Sequence, residues 1–281
     1  MTAAATEQTV LVDGVSLFMR RVGDGPVTVV LHGGPGAHHD YLLPQYDRLA
    51  ADRELLYYDQ RGGGRSPVAR DVPVDWRAHV EDLRSLLVQL DRTPATLLGY
   101  SWGGLLALLY TVEHPGTVGR LALVCPAPAT ARDRGRFEAT FAERSRAPAI
   151  LRERESLHAS DLRTRDPEAY RRRLFELSVA GYFHDPARVR DLTPFRLTGR
   201  TQQAVWDSLG DYDLRTALAS VRVPAIVLAG RHDPIPLDAT ADTAARLAAE
   251  CIVFESSGHC PHVEESDRFT EVLDAWLPSR A

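Results

Sequence analysis

The pentapeptide Gly99-Tyr100-Ser101-Trp102-Gly103 carries the strongest chemical signal in the chain. It has the form G-x-S-x-G. It lies between Ala95–Gly99, whose apolar pattern predicts a strand, and Gly103–His114, which predicts a helix stopped by Pro115-Gly116. A sharp strand-to-helix turn at this point projects the Ser101 hydroxyl from the edge of a sheet, and the glycines let helix and strand pass close together. The first N–H groups of the helix have no partner within it and face any negative charge that develops there. A hydroxyl is a poor nucleophile unless a base takes its proton. His259, on a loop after the strand-like run Ile252–Phe254, fits that role, and Asp233, after the run Ala225–Ala229, fits as the carboxylate that orients it. The tetrahedral intermediate of acyl transfer also needs two N–H donors aimed at its oxyanion. Trp102, next to the serine, is expected to supply one, and Gly34, in His32-Gly33-Gly34-Pro35-Gly36, the other.

The chain has ten histidines, so alternatives compete. His262 lies past Pro261, nearer the last helix, and His232 adjoins the acid and is expected to point away from it. Asp238 is expected to start a helix rather than serve as the acid, and Cys260 lacks the turn geometry of a nucleophile. The neighbours His38-His39-Asp40 are poorly spaced for a single ion, so no metal site is expected. The glycine-rich loop is not a dinucleotide fingerprint, because G-x-G-x-x-G is absent, and the expected chemistry requires no cofactor.

These side chains need a sheet to hold them. Two runs, Gln8–Val12 and Val15–Arg21, flank Asp13-Gly14 and predict a hairpin. Val27–Leu31, Glu54–Tyr58, Ala95–Gly99, Leu121–Cys125, Ala225–Ala229 and Ile252–Phe254 are short apolar runs suited to strands of a parallel sheet covered on both faces. Helices are expected near 42–51, over 74–90, 103–114 and 239–249, and over 266–277. From Pro126 to Arg215 the alternation stops, and helical pieces rich in Arg and Glu take its place. This stretch carries 17 Arg against 14 acidic residues, whereas the remainder carries 16 against 24. The division expected is a core of 1–125 and 216–281 with a helical cap, 126–215, inserted into it.

Composition narrows the class. With 281 residues, 44% hydrophobic and 25% charged, the chain suits a globular domain rather than a disordered or disulfide-dense one. A net charge of -5 gives no reason to expect nucleic acid as a partner. All 33 basic residues are Arg, which excludes a Lys Schiff base or a P-loop Lys. Three cysteines without framework spacing fit a reducing compartment, and MTAAATEQTV lacks the marks of a signal peptide, so a cytoplasmic location is expected. The most apolar stretch, Leu97 to Val112, is too short to span a bilayer, so no membrane association is expected. No pattern in the chain specifies an oligomeric state.

Taken together, H-G-G-P-G at 32–36, D-Q-R-G-x-G-R-S at 59–66, G-x-S-W-G-G at 99–104, G-x-x-D at 230–233 and S-G-H at 257–259 resemble the proline iminopeptidase branch of the α/β-hydrolases. The resemblance covers both halves of the core. It implies an eight-stranded, mostly parallel sheet with a helical cap over the site, the triad Ser101–His259–Asp233 and the oxyanion pair Gly34 and Trp102. It also implies that Asp59, Arg61 and Arg65 brace the loop near the site. Aminopeptidases of this branch hold the substrate amine with cap glutamates, and some relatives carry Glu where Arg231 stands. Arg231, Arg200 and Trp206 are the candidate substrate-binding residues; the two arginines would repel an ammonium group, and Glu138, Glu143, Glu153, Glu155, Glu168 and Glu176 are the acids left to attract one. Trp206, Tyr182, Phe183 and Phe141 are candidates for the pocket wall. The resulting expectation is a serine hydrolase that cleaves a small ester, lactone or amide through an acyl-enzyme. Its partner would be a small-molecule or short-peptide substrate. The alternatives are a proline iminopeptidase-type aminopeptidase, a cofactor-free perhydrolase or C–C hydrolase, and a non-catalytic ligand receptor.

Overall fold

The computed structural model describes residues 5–280. Residues 1–4, part of the segment read for a leader, and residue 281 lie outside it. Eight strands form one sheet: β1 (Thr6–Val12), β2 (Val15–Gly23), β3 (Val27–Leu31), β4 (Glu54–Tyr58), β5 (Ala95–Tyr100), β6 (Val118–Val124), β7 (Ala225–Gly230) and β8 (Glu250–Phe254). Their order is β1-β2-β4-β3-β5-β6-β7-β8. From β4 to β8 every pairing is parallel, while β2 pairs antiparallel with both β1 and β4. The sheet is therefore the eight-stranded, mostly parallel one that the resemblance implies. Asp13 and Gly14 both take positive φ in the β1–β2 turn, which is what a tight hairpin matched to the strand twist requires.

The continuous apolar runs make sense once both sheet faces are covered. Successive side chains alternate faces, so Val29, Leu97, Leu121 and Leu123 join one hydrophobic cluster while Val30, Leu98, Ala122 and Val124 join the other. On the first face lie α1 (Trp76–Gln89) and α2 (Trp102–Glu113). The Asp75 carboxylate caps α1 by accepting from the Ala78 N–H at 3.0 Å. Helix α2 is buried along nearly its whole length, in keeping with its unbroken apolar sequence.

Between β6 and β7 the chain forms α3 (Ala131–Ser145), α4 (Pro148–Ala159), α5 (Leu162–Arg165), α6 (Pro167–Val179), α7 (Gly199–Leu209) and α8 (Arg215–Leu218). The last three helices are α9 (Leu237–Arg246), α10 (Pro261–Glu264) and α11 (Ser266–Trp276), the last of which packs Phe269 and Leu273 on the second face. One expected element differs. The helix anticipated near 42–51 is instead two short 3-10 turns, His39–Leu42 and Tyr46–Ala50. Pro44, which has no N–H to donate, separates them.

Candidate active site

Three C-terminal strand ends place the site. Ser101 follows β5, Asp233 follows β7 and His259 follows β8, so all three meet on the edge of the sheet where open α/β sheets bind ligands. Ser101 adopts φ 52°, ψ −118°, a left-handed conformation unusual for a residue with a side chain. The turn is held by the Ser101 N–H donating to the Val124 carbonyl at 3.0 Å and by the Ala127 N–H donating to the Ser101 carbonyl at 2.9 Å. A side chain on Gly103 would collide with the Leu31 carbonyl, and one on Gly99 would stand 2.5 Å from the Gly103 oxygen, so the crossing of α2 over β3 and β5 requires both glycines.

The Ser101 Oγ lies 3.0 Å from His259 Nε2, and His259 Nδ1 lies 3.0 and 3.1 Å from the two Asp233 oxygens. Asp233 also accepts from the Ile235 N–H at 2.8 Å. This is the geometry that base-assisted attack by a hydroxyl requires. The His259 ring is packed against Tyr182, with ring centres 5.0 Å apart, and the His259 backbone N–H donates to the Tyr182 carbonyl at 2.6 Å. Glu264 fastens the same turn to the segment after α6. It accepts from the Gly258 N–H at 2.7 Å and from the His184 and Asp185 N–H groups at 2.8 and 3.0 Å. Burial pushes the Glu264 carboxyl up even though these three donors pull it down.

Gly34 and Trp102 both border the cavity that contains Ser101, and the backbone N–H of neither has a hydrogen-bond partner among the described residues. Gly34 takes φ +57°, with Leu197 close above its Cα.

The cavity has a volume of about 880 Å³. Tyr41, Tyr100, Trp102, Phe137, Phe141, Phe175, Tyr182, Phe195 and Trp206 line it, with Gln202 and Gln203 adding amides. Of the residues anticipated for its wall, Trp206, Tyr182 and Phe141 are present. Phe183 turns instead into the hydrophobic cluster on the second face of the sheet. Phe137 and Phe141, four residues apart on α3, share one of its faces, whereas Tyr41, Phe175 and Phe195 carried no signal in the sequence.

Two expectations for the pocket need correction. Arg231 does not face the cavity, because its guanidinium is drawn outward into a two-pronged pair with Glu255, at 2.7 and 2.8 Å. Nor does Arg200, which donates to the Ala69 and Val72 carbonyls at 3.1 and 2.6 Å. Among the glutamates weighed, only Glu138 borders the cavity; Glu176 is paired with Arg172 and Arg173, and Glu153 with Arg173. The Glu138 side chain is 56% exposed and stands 3.6 Å from Arg134, which lies over Trp206.

The competing residues are accounted for. His262 is fully buried edge-on to Tyr46 and Tyr100, and burial lowers it to about 3. The His232 ring stacks on His184. Asp238 begins α9 and pairs with Arg136. Cys260 is buried, and burial pushes its thiol up. His39 Nδ1 lies 2.7 Å from Asp59, which also accepts from the His39 and Arg65 N–H groups. Burial opposes the Asp59 charge, yet these partners hold its carboxyl below the ordinary range. Arg61 grips Asp82 with two bonds of 2.5 Å. Cys125, just after β6, is another close neighbour of the site that sequence reasoning passed over. Its sulfur, the Asp233 carboxylate and a His259 nitrogen lie within 4.8 Å of one another, and burial keeps the thiol protonated.

Residues 26–266 match the model of the alpha/beta hydrolase fold family. The chain belongs to that family. It is 30% identical to the proline iminopeptidase of Levilactobacillus brevis, over 92% of each chain. Among solved structures it is similar to an esterase from Exiguobacterium antarcticum, at 24% identity and a TM-score of 0.72, over 96% of this chain and 99% of that one. It is also similar to the proline iminopeptidase of Mycobacterium smegmatis, at 22% identity and a TM-score of 0.71, over 96% and 97%. This α/β-hydrolase is thus of the proline iminopeptidase-like branch and is a hydrolase. No helix among the described residues is long and apolar enough to cross a membrane.

Proposed function

We propose that this α/β-hydrolase is a serine hydrolase that cleaves a small ester, lactone or amide with an apolar acyl group through an acyl-enzyme. The 3.0 Å contact between Ser101 Oγ and His259 Nε2, at the floor of an aromatic cavity, carries the reading. Ser101 attacks the carbonyl while His259 takes its proton, and Asp233 holds the imidazole in the tautomer that leaves Nε2 free to accept. The oxyanion is received by the Gly34 and Trp102 N–H groups. His259 then returns the proton to the leaving group, and it later activates the water that releases the acid. The aromatic wall favours an apolar acyl chain, because every apolar group that leaves water for it gains free energy in proportion to its area.

A second reading, an aminopeptidase that releases N-terminal residues, is favoured by Glu138 at the cavity rim and by the whole-length similarity to proline iminopeptidases. Against it stands the pairing of Glu138 with Arg134, which offsets its pull on an ammonium group. Turnover of p-nitrophenyl butyrate and of prolyl p-nitroanilide, side by side and with Ser101→Ala as the blank, separates the two. Ester turnover at least tenfold above anilide turnover is expected. Anilide turnover matching or exceeding it transfers the assignment to the aminopeptidase, and turnover unchanged in Ser101→Ala removes both.

A further inference from the structure

The two proposed oxyanion donors come from distant parts of the chain, Gly34 after β3 and Trp102 at the start of α2. Their separation must be held to a fraction of an ångström if both are to meet one oxygen. A single buried side chain ties the two segments together. The Gln60 Oε1 accepts from the Trp102 indole N–H at 2.7 Å, and its Nε2 donates to the His32 carbonyl at 2.9 Å. The Gln60 backbone N–H donates to His32 Nε2 at 3.0 Å. That bond fixes the His32 tautomer: Nε2 accepts, so Nδ1 carries the proton and donates to the Gly33 carbonyl at 2.9 Å. Gln60, His32 and Trp102 are all essentially inaccessible to water.

We propose that Gln60 is a positioning residue for the oxyanion hole, its amide setting the Gly34 loop and the Trp102 end of α2 at a fixed distance. The inference rests on the serine-hydrolase reading above. The amide suits this work because it accepts on one side and donates on the other, which neither a carboxylate nor an apolar side chain does. Gln60 is itself immobilised on both flanks. Asp59 accepts from His39 and Arg65, Arg61 grips Asp82, and the Gly63 N–H donates to the Gln60 carbonyl at 3.0 Å. The D-Q-R-G segment therefore acts as a strut whose Gln60 side chain reaches both segments that carry the proposed donors.

The test compares wild type, Gln60→Met, Gln60→Glu and Ser101→Ala. It measures kcat and KM on p-nitrophenyl butyrate and the inhibition constant of an aliphatic trifluoromethyl ketone, which forms a tetrahedral adduct with a serine. Thermal melts identify the folded variants. Gln60→Met keeps the length and removes both bonds. Gln60→Glu keeps the acceptor for Trp102 and sets a carboxylate oxygen against the His32 carbonyl. Loss of one oxyanion donor typically costs about 10²–10³ in kcat, and misalignment of two is expected to cost about 10–100-fold. The expected result is that loss in kcat, a KM within about threefold of wild type, and a ketone affinity weakened in step with kcat/KM. A residue that only stabilised the fold would lower the melting temperature and leave kcat and ketone affinity unchanged well below it. That result, in either variant that melts cooperatively, overturns the proposal. If Ser101→Ala keeps its activity, the parent reading falls and this one with it. If Ser101→Ala is dead while the Gln60 variants are not, only this one falls.

Discussion

The core and the segment between β6 and β7 are built by different rules. In the core, side chains near Ser101 are buried on all sides and tied by short hydrogen bonds to strand ends. In the inserted segment, α3 buries no residue and α4 buries only Leu157. Many of the apolar residues this segment does bury join the two core clusters, Val205, Leu209 and Tyr212 on one face and Val179, Phe183, Val189 and Leu192 on the other, whereas Leu157 and Leu177 join neither. Yet the same segment supplies Phe137, Phe141, Phe175, Tyr182, Phe195 and Trp206 to the cavity wall. The core thus presents the proposed reacting groups, and more exposed helices line the cavity beside them. The lesson is a separation of chemistry from selectivity, and it can be tested by perturbing each region in turn.

The largest effects are expected in the core. Ser101→Ala should lower kcat by about 10⁴-fold or more on any substrate the protein turns over, and Asp233→Asn by about 10³–10⁴-fold, since an amide favours the wrong imidazole tautomer. Both variants should melt within a few degrees of wild type. Single-turnover assays beside thermal melts would decide this, and an Asp233→Asn enzyme with more than a tenth of wild-type kcat would remove Asp233 from the mechanism.

Substitutions in the helical segment should act on selectivity instead. Phe137→Ala and Phe141→Ala remove rings from the wall; Phe137 stacks on the His259 ring with centres 6.4 Å apart and Phe141 on Tyr182 at 4.2 Å, and neither ring hydrogen-bonds to Ser101 or His259. A group of this size distinguishes substrates by roughly 10–200-fold. The expected outcome is a loss of about tenfold or more in kcat/KM for p-nitrophenyl butyrate relative to the acetate. Equal losses on both esters would mean that these rings hold His259 in place rather than the acyl chain.

The contrast also explains what the sequence revealed. That Ser101, Asp233 and His259 come together was legible because each follows a strand of the parallel sheet at the same edge. The strands were legible because both faces of the sheet are covered, which turns each into an unbroken apolar run. The cavity wall was not, because helices that rest on another surface need no apolar stripe of their own, so their aromatic spacing does not say which face is inward. Arg231 and Arg200 show the same limit: a charge beside a motif was read as facing the site, but long side chains find the nearest carboxylate or carbonyl. Tyr41 and Phe195 meet across a distance of 154 positions in the chain, with ring centres 4.5 Å apart, and no local pattern encodes such a pair.

A smaller effect should appear in the pH dependence of stability, and it too resides in the core. Burial lowers His32 to about 4, His79 to about 3 and His262 to about 3. Both ring nitrogens of His79 and of His262 lack a hydrogen-bond partner among the described residues. Each imidazole is neutral in the folded protein and takes a proton more readily once unfolded. Folding is therefore favoured above the unfolded pKa of about 6.5, and stability is lost as pH falls from there toward the folded value, at up to about 1.4 kcal/mol per pH unit per histidine. Denaturant melts at pH 7.5 and 5.0 should show a clear loss at the lower pH. His262→Phe, which keeps an aromatic ring against Tyr46 and Tyr100, should reduce that loss. An unchanged pH slope in this variant would mean that His262 does not contribute to it.

The smallest effect is expected at the two arginines once read as pocket residues, and its smallness is informative. Arg231 and Glu255 form an exposed pair on the far side of the Asp233 loop, and Arg200 spans two carbonyls of the loop that follows the D-Q-R-G segment. Neither guanidinium borders the cavity, and water screens both from it. Arg231→Gln and Arg200→Gln should therefore leave kcat/KM within about twofold on neutral esters, on prolyl anilide and on an ester carrying a carboxylate, since a screened surface charge shifts such rates little. The carboxylate substrate makes the measurement decisive. A selective loss on that substrate alone would show that one of these charges reaches the reacting end of the substrate after all. Selectivity would then extend beyond the aromatic wall to the rim, and the line drawn between a core that reacts and helices that select would have to include the loops between them.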